Sequence, residues 1–136
     1  MIHICDTGPL VAWLNRNDPY HAWATAAMRD IAAPLLICEP VLTEVAYFLS
    51  EDGLEVEPLF AMIERTALRL AFDMNEHWPR LRTLMARYPR MDVADACVVA
   101  MSEQYRKCRV LTVDRRDFAT YRRNDRQVID FLAPPA

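Results

Sequence analysis

Short apolar runs alternate with longer amphipathic segments along this chain. The first run, residues 2–5, stops at Asp6, and Pro9 follows in the first turn of a predicted helix, a position that proline favours. Four further runs are predicted strands: 34–38, 68–72, 109–113 and 128–132. The segments between them are predicted helices, which begin near Pro19, Val41, Val56, Met74 and Asp92, the last of these extending to 107 and a turn following residue 113. Strands that alternate with helices indicate an α/β fold, in which helices cover both faces of a parallel sheet.

The size of the chain indicates one domain. With 136 residues, 53% of them hydrophobic, it can bury a core without disulfides or a structural metal. We expect the domain to span residues 1–132, followed by a short disordered tail, 133–136. The four cysteines are scattered among apolar residues without a C-x-x-C, as is typical of reduced core cysteines. The first residues do not resemble a signal peptide and no segment has transmembrane length, so we expect a cytoplasmic protein with no membrane contact.

Several common kinds of site are excluded by the composition. Gly8 and Gly53 are the two glycines, and they form neither a dinucleotide-binding loop nor a P-loop. No G-x-S-x-G motif surrounds either serine, and the three histidines fall in no metal-binding motif. A net charge of −3 does not by itself indicate nucleic-acid binding, although residues 104–126 are locally basic. The remaining candidates for chemistry are acidic.

Two acids follow predicted strands directly. Asp6 comes after residues 2–5 and Asp114 after 109–113, so both stand at the carboxyl ends of strands, the edge at which open parallel sheets bind ligands. Helix capping is the competing interpretation, in which Asp6 or Thr7 caps the next helix. Asp117 is expected to shape or cap the turn that follows Asp114.

Two more acids face apolar side chains on predicted helices. Glu44 is spaced to share a face with Val41 and Phe48, which places it inside or beside the buried stripe, or at a boundary from which it reaches water. Asp95 shares a face with the valines one turn later, and a bound ligand explains this position better than the helix dipole alone. Asp92, one turn earlier, is a candidate N-cap.

Convergence of these acids on one edge of the sheet would require a cation. Carboxylates within about 4–6 Å of one another repel and raise each other's pKa unless a positive charge lies between them. A set of oxygen ligands without cysteine or histidine favours Mg²⁺ or Mn²⁺ over zinc. Such ions bind phosphate oxygens, so phosphoryl or phosphodiester chemistry is the first functional interpretation.

Four segments, in this order and at this spacing, resemble the motifs of a known family. They are D-T-G-P-L-V-A-W-L-N, E-P-V-L-T-E-V-A-Y-F-L, M-D-V-A-D-A-C-V-V-A and V-L-T-V-D-R-R-D-F. They are similar to the motifs of PIN-domain proteins, in particular the VapC-like toxins of toxin–antitoxin pairs, over Ile4 to about Tyr121. The resemblance implies a PIN-like three-layer α/β fold with a central parallel sheet of about five strands flanked by helices. It also implies a metal-dependent endoribonuclease site at the carboxyl edge of that sheet.

The resemblance assigns roles residue by residue. The implied catalytic and metal-binding acids are Asp6, Glu44, Asp95 and Asp114. Thr7 and Thr112 fall where the family often has a hydroxyl near the metal, and Asp92 and Asp117 match acids that are common in these motifs. The implied reaction is hydrolysis of an RNA phosphodiester by water activated by Mg²⁺ or Mn²⁺, with Asp6 and Asp95 as the principal ligands. Candidate contacts to the RNA backbone are Arg115, Arg116, Arg122 and Arg123.

Partners and alternatives complete these expectations. The family resemblance implies a homodimer and a small antitoxin whose segment enters the acidic groove. A non-cleaving PIN-like module that binds RNA or a protein is the main alternative, although no acid of the site is missing from the sequence. A phosphoaspartyl receiver or phosphatase fits poorly, since Asp6 has no paired acid and Lys107, the single lysine, precedes its strand.

Overall fold

A computed structural model describes all residues, 1–136, as seven helices and seven short strands. The strands are β1 (Ile2–Cys5), β2 (Leu35–Ile37), β3 (Leu68–Leu70), β4 (Cys108–Leu111), β5 (Arg122–Arg123), β6 (Gln127–Val128) and β7 (Phe131–Leu132). The helices are α1 (Thr7–Leu14), α2 (His21–Arg29), α3 (Glu39–Glu51), α4 (Glu57–Glu64), α5 (Met74–Arg87), α6 (Val93–Glu103) and α7 (Arg115–Thr120).

Five of the strands form one parallel sheet in the order β3-β2-β1-β4-β7. Strand β1 lies at its centre, where Ile4 pairs with Leu36 of β2 on one side and with Val110 of β4 on the other. The chain therefore leaves β1 in one direction along the sheet and later returns on the other side. In open parallel sheets this point of reversal opens a crevice at the carboxyl ends of the strands. The predicted five-stranded parallel sheet flanked by helices is confirmed.

Helix α6 is the most deeply buried helix. Eight of its eleven residues are buried, including Cys97, Val98 and Val99, which have no exposed surface. A helix that is apolar nearly all round belongs in the interior rather than on the surface. The predicted extension to residue 107 is wrong, because α6 ends at Glu103. The guanidinium of Arg123 donates to the carbonyl oxygens of Ser102 and Tyr105 and so closes that end.

The segment after β4 differs from the predicted turn. Residues 115–120 form helix α7, because the carboxylate of Asp114 accepts a hydrogen bond from the backbone N–H of Asp117 at 3.1 Å and so caps its first turn. The expected capping role of Asp117 is therefore wrong, and Asp114 has it instead. The sequence pattern did not predict this helix or its cap, because the six residues of α7 are too few to show a helical repeat.

The predicted last strand is divided in two. Asn124 and Asp125 take positive φ angles of 51° and 64°, which reverse the chain so that β5 and β6 pair as an antiparallel hairpin. Only Phe131 and Leu132 then join the main sheet, beside Val110 and Leu111 of β4.

The carboxyl-terminal residues pack on the domain. Ala133 is 8% exposed, and Arg115 donates to the carbonyl oxygens of Ala133 and Pro134. The expectation that all of 133–136 is disordered is therefore wrong for its first two residues. The four cysteines are free and buried, as predicted. No helix has both the length and the apolar character needed to cross a membrane.

Candidate active site

An acidic cavity of about 430 Å³ opens at the carboxyl ends of the central strands. Six carboxylic acids line it, and no arginine, lysine or histidine does. The acids are Asp6, Asp18, Glu44, Asp92, Asp95 and Asp114. The structure therefore brings together all four acids of the predicted catalytic set, two that follow β1 and β4 and two that lie on α3 and α6. A larger groove of about 1010 Å³ elsewhere on the protein is lined by residues such as Arg69 and His77 and contains none of these four acids.

Asp6 lies at the floor of this cavity and is 8% exposed. Its backbone N–H donates to the carbonyl oxygen of Leu111 at 2.9 Å, which continues the pairing of β1 with β4. Its side chain occupies the N-cap position of α1 without making a capping hydrogen bond. Instead, the hydroxyl of Thr112 donates to Asp6 Oδ2 at 2.8 Å. The capping interpretation therefore does not account for Asp6, whose carboxylate is turned toward the cavity.

Glu44 reaches the cavity from the middle of α3. It is half-buried, and the hydroxyl of Thr7 donates to its Oε1 at 2.6 Å. Val41 is fully buried as expected, but Phe48 is 46% exposed, so the helix face that carries Glu44 turns from the core into the cavity. The alternative of a carboxylate that extends into bulk water is not observed, because Thr7 holds Glu44 against α1.

Asp95 lies in the first turn of α6. Asp92 is the N-cap of this helix, as predicted, and its carboxylate accepts the backbone N–H of Asp95 at 2.8 Å. The side chain of Asp95 accepts a hydrogen bond at Oδ2 from the hydroxyl of Tyr121, at 2.6 Å. No pattern in the sequence indicates this partner, because Tyr121 follows the short helix α7, and the fold of that helix places it.

Asp114 and Asp117 have different surroundings. Asp114 is exposed at the mouth of the cavity, and its backbone N–H donates to the hydroxyl of Thr112 at 3.0 Å. Asp117 is 9% exposed and lies within 3.5 Å of the guanidinium of Arg90, which sequence reasoning did not single out. Asp117 does not line the cavity, whereas Asp114 and Asp6 do.

The crowding of these acids shifts the pKa values of the two most enclosed ones. Burial raises the pKa of Asp6 to about 6, against the hydrogen bond from Thr112, and the charges of Glu44 and Asp92 add to the rise. Burial also raises the pKa of Asp95 to about 7, against the hydrogen bond from Tyr121, with further contributions from Asp6 and Asp92. The folded protein therefore disfavours the ionised form of both carboxyl groups, and a cation bound beside them would favour that form.

The donor set fits a hard divalent cation. No three acidic, histidine or cysteine side chains converge into a closed cage of protein ligands. Mg²⁺ does not need such a cage, since it usually keeps several waters and takes only one or two carboxylates directly. Asp6 and Asp95 each have one oxygen held by a hydroxyl, which leaves the second oxygen available to an ion or its waters.

The four arginines expected to contact RNA are mostly engaged elsewhere. Arg122 donates to three carbonyl oxygens at the end of α7, and Arg123 closes the end of α6. Arg115 holds the carboxyl-terminal segment and stacks over the ring of Phe131. Arg116 alone among them is exposed with its guanidinium free of protein hydrogen bonds and ion pairs. Three of the four arginines therefore stabilise helix ends or the carboxyl-terminal segment. They do not form a single phosphate-binding surface.

Comparison with known proteins gives the family. The family model for the PIN domain matches residues 4–124. The chain belongs to the PIN domain family. Among curated proteins, it is 27% identical over 123 residues to Ribonuclease VapC26 of Mycobacterium tuberculosis, a match that covers 88% of this chain and 91% of that protein. Among solved structures, it is similar to VapC20 of Mycobacterium tuberculosis, described as a Sarcin-Ricin loop cleaving toxin, with a TM-score of 0.67, 18% identity and coverage of 79% of this chain and 86% of that one. At this identity the second match supports the PIN fold.

Proposed function

We propose that this PIN-domain protein is a VapC-like endoribonuclease, the toxin of a toxin–antitoxin pair, and that it requires Mg²⁺ or Mn²⁺. The observation that carries the proposal is the cavity itself, in which acids from four separate elements meet with no basic side chain among them. The match to a protein named as a ribonuclease, over nearly the full length of both chains, supports it. The similarity to a toxin described as cleaving the Sarcin-Ricin loop makes RNA the natural substrate to test.

In the proposed site, Asp6 and Asp95 would hold the divalent cation, with Glu44 and Asp114 completing the set directly or through water. When bound, the cation would neutralise phosphate charge and lower the pKa of a coordinated water. Phosphate could not approach six uncompensated acids, so the same cation would also admit the substrate.

The protein's own groups would orient and deprotonate the attacking water. Thr7 fixes Oε1 of Glu44, which leaves Oε2 as the atom that would accept a hydrogen bond, and then a proton, from that water. Thr112 would keep Asp6 in one orientation while it contacts both Asp6 and the backbone of Asp114. Fixed acceptors in a partly enclosed site need little reorganisation during the reaction, which is the main source of such catalysis.

The proposal includes the partners and location implied by the family resemblance. Arg116 is the arginine best placed to contact the RNA backbone, since its guanidinium is free. The exposed aromatic side chains of α3 and α4, Tyr47, Phe48 and Phe60, are 46–58% exposed and give apolar area for a second copy of the chain or for a small antitoxin. An RNA substrate and reduced, buried cysteines fit a cytoplasmic location.

The test is cleavage of a panel of structured and single-stranded RNAs with Mg²⁺, with Mn²⁺ and with EDTA. Parent protein should cut at least one RNA in the presence of metal, and Asp6→Asn and Asp95→Asn should each lower the rate by at least about 100-fold. Asp30→Asn, the same chemical change at an exposed acid outside the cavity, is the matched control and should leave the rate unchanged. Cleavage that persists in EDTA or in both site variants would disprove the assignment. Metal binding without cleavage of any RNA would favour the non-cleaving binding module.

A further inference from the structure

Tyr121 reaches the acid cluster from behind the cavity. Its hydroxyl donates to Asp95 Oδ2 at 2.6 Å, from the residue that follows α7, while its own side chain is 2% exposed. Tyr121 does not line the cavity, and so it has no access to a bound nucleotide. Any effect of this tyrosine on the reaction must therefore pass through Asp95.

The ring of Tyr121 is held by two other aromatic side chains. Phe118 packs edge-on against it with ring centroids 5.2 Å apart, and Tyr88 does so at 5.1 Å. Tyr88 is itself held, because its hydroxyl accepts the backbone N–H of Arg122 at 3.1 Å. Edge-to-face packing of this kind fixes the plane of a ring. The hydroxyl of Tyr121 is therefore directed at Asp95 by a rigid support.

The contact repeats a pattern found at two other acids of the site. A threonine hydroxyl holds one oxygen of Asp6, and another holds one oxygen of Glu44. All three donors are neutral, so they orient the carboxylates without cancelling the charge that a cation needs. An arginine or lysine in the same place would orient the acid and neutralise it at once. Oδ1 of Asp95 has no hydrogen-bond partner in the protein, although Asp95 lines the cavity.

We propose that Tyr121 is a positioning residue that occupies Oδ2 of Asp95 and so presents Oδ1 alone to the divalent cation. This inference rests on the proposed function, because it concerns the same metal-dependent site. Binding through one carboxylate oxygen suits the small octahedral shells of Mg²⁺ and Mn²⁺. Ca²⁺ is larger and often takes both oxygens of a carboxylate. Tyr121 would thus contribute to selectivity among cations as well as to affinity.

The test compares Tyr121→Phe with Tyr88→Phe. Both changes remove one tyrosine hydroxyl from the same aromatic cluster, but only the hydroxyl of Tyr121 is hydrogen-bonded to an acid. Mn²⁺ and Ca²⁺ binding would be measured by titration calorimetry without RNA, and folding by circular dichroism. For Tyr121→Phe we expect Mn²⁺ affinity to fall by about 10-fold, the usual scale for loss of a group that supports a metal ligand, while Ca²⁺ affinity falls less or rises. Tyr88→Phe should keep the parent ratio of the two affinities.

Two outcomes would overturn the inference. One is a Tyr121→Phe protein that is folded and has the parent Mn²⁺ affinity and the parent Mn²⁺/Ca²⁺ ratio. The other is the same loss of Mn²⁺ affinity and ratio in Tyr88→Phe, which would make the effect one of general packing. Because these readouts need no RNA, they separate the two proposals. A parent protein that binds Mn²⁺ through Tyr121-supported Asp95 but cuts no RNA would contradict only the proposed activity.

Discussion

The hydroxyl of Thr112 donates a 2.8 Å hydrogen bond to Asp6 across 106 residues of sequence. Both side chains belong to the carboxyl ends of adjacent strands, β4 and β1, which pair in parallel through four residues each. Thr112 is fully buried and also accepts the backbone N–H of Asp114. One hydroxyl therefore connects two acids of the site to the centre of the sheet.

Replacing Thr112 with valine should weaken the site, because valine keeps the shape and loses both hydrogen bonds. We expect the free energy of unfolding to fall by about 1–3 kcal/mol. Mn²⁺ affinity should fall by roughly 10-fold. Thr112→Ser keeps the hydroxyl and is the matched control, with near-parent affinity expected. Denaturant unfolding and calorimetric titration would measure the two effects. Equal losses in the two proteins would contradict this role of the hydroxyl, because the serine protein keeps it.

The raised pKa values of Asp6 and Asp95 predict how stability depends on pH without metal. Their pKa values in the folded protein, about 6 and about 7, lie above the ordinary 3.8, so folding favours the protonated acids. The unfolded chain releases these protons first. The part of the stability that comes from protonating these two acids in the folded protein is therefore fully present below about pH 4 and is lost as the pH rises through 6 and 7.

Removing one of these charges should then stabilise the metal-free protein at high pH. Asp95→Asn keeps an acceptor for Tyr121, and we expect it to raise the free energy of unfolding by about 1–2 kcal/mol at pH 8, a value reduced for partial exposure, with little change at pH 4. Urea denaturation in EDTA at the two pH values measures this difference. An Asp95→Asn protein less stable than the parent at pH 8 would contradict the pKa shift.

Added metal should stabilise the parent protein but not a variant that lacks an acid of the site. A cation that binds the folded parent stabilises it by mass action, by about 2.7 kcal/mol at a concentration 100 times Kd. We expect saturating Mg²⁺ or Mn²⁺ to raise the Tm of the parent and of Asp30→Asn, and to leave that of Asp6→Asn nearly unchanged. Thermal unfolding with and without EDTA tests this. A similar rise in all three proteins would indicate metal bound outside the cavity.

Gly8 and Val113 are in close contact beside the site. A Cβ at position 8 would overlap a methyl group of Val113, so Gly8→Ala should destabilise the protein by about 1–3 kcal/mol. Val113→Ala removes the overlapping methyl groups, and the double variant should recover most of the loss. A double-mutant cycle of unfolding free energies measures this coupling. Additive losses would mean that Gly8 is needed for another reason.

Arg116 and Arg122 are expected to differ in role despite their similar position in the sequence. Arg116→Gln should weaken RNA binding and reduce the salt dependence by about one phosphate contact, with stability unchanged. Arg122→Gln removes donors to the last carbonyl oxygens of α7 and should cost about 1 kcal/mol of stability without affecting RNA binding. Fluorescence anisotropy at several salt concentrations, combined with thermal unfolding, distinguishes the two. If Arg122→Gln alone reduced RNA binding, the assignments would have to be exchanged.

Local patterns in the sequence were enough to predict the sheet and the acids of the site. Apolar runs that alternate with amphipathic segments reflect local periodicity, and they predicted a parallel sheet in which Asp6 and Asp114 follow two of the strands. The positions of Glu44 and Asp95 on helix faces followed from the 3.6-residue repeat. These features are readable because each arises from residues that are neighbours in the chain.

The groups that surround those acids depend on how distant segments pack in the folded chain. Tyr121 donates to Asp95 because the short helix α7 and two aromatic rings direct it there, and no local pattern indicates that contact. Arg122 and Arg123, read as free charge in the sequence, bind carbonyl oxygens at helix ends whose positions only the folded chain defines. A hydrogen bond between side chains of distant segments forms only if the donor–acceptor distance is correct to within a few tenths of an ångström. Periodicity carries no information about such distances. The acids of the site were therefore predictable, whereas of the hydroxyls that orient them only those of Thr7 and Thr112 were expected, and that of Tyr121 was not.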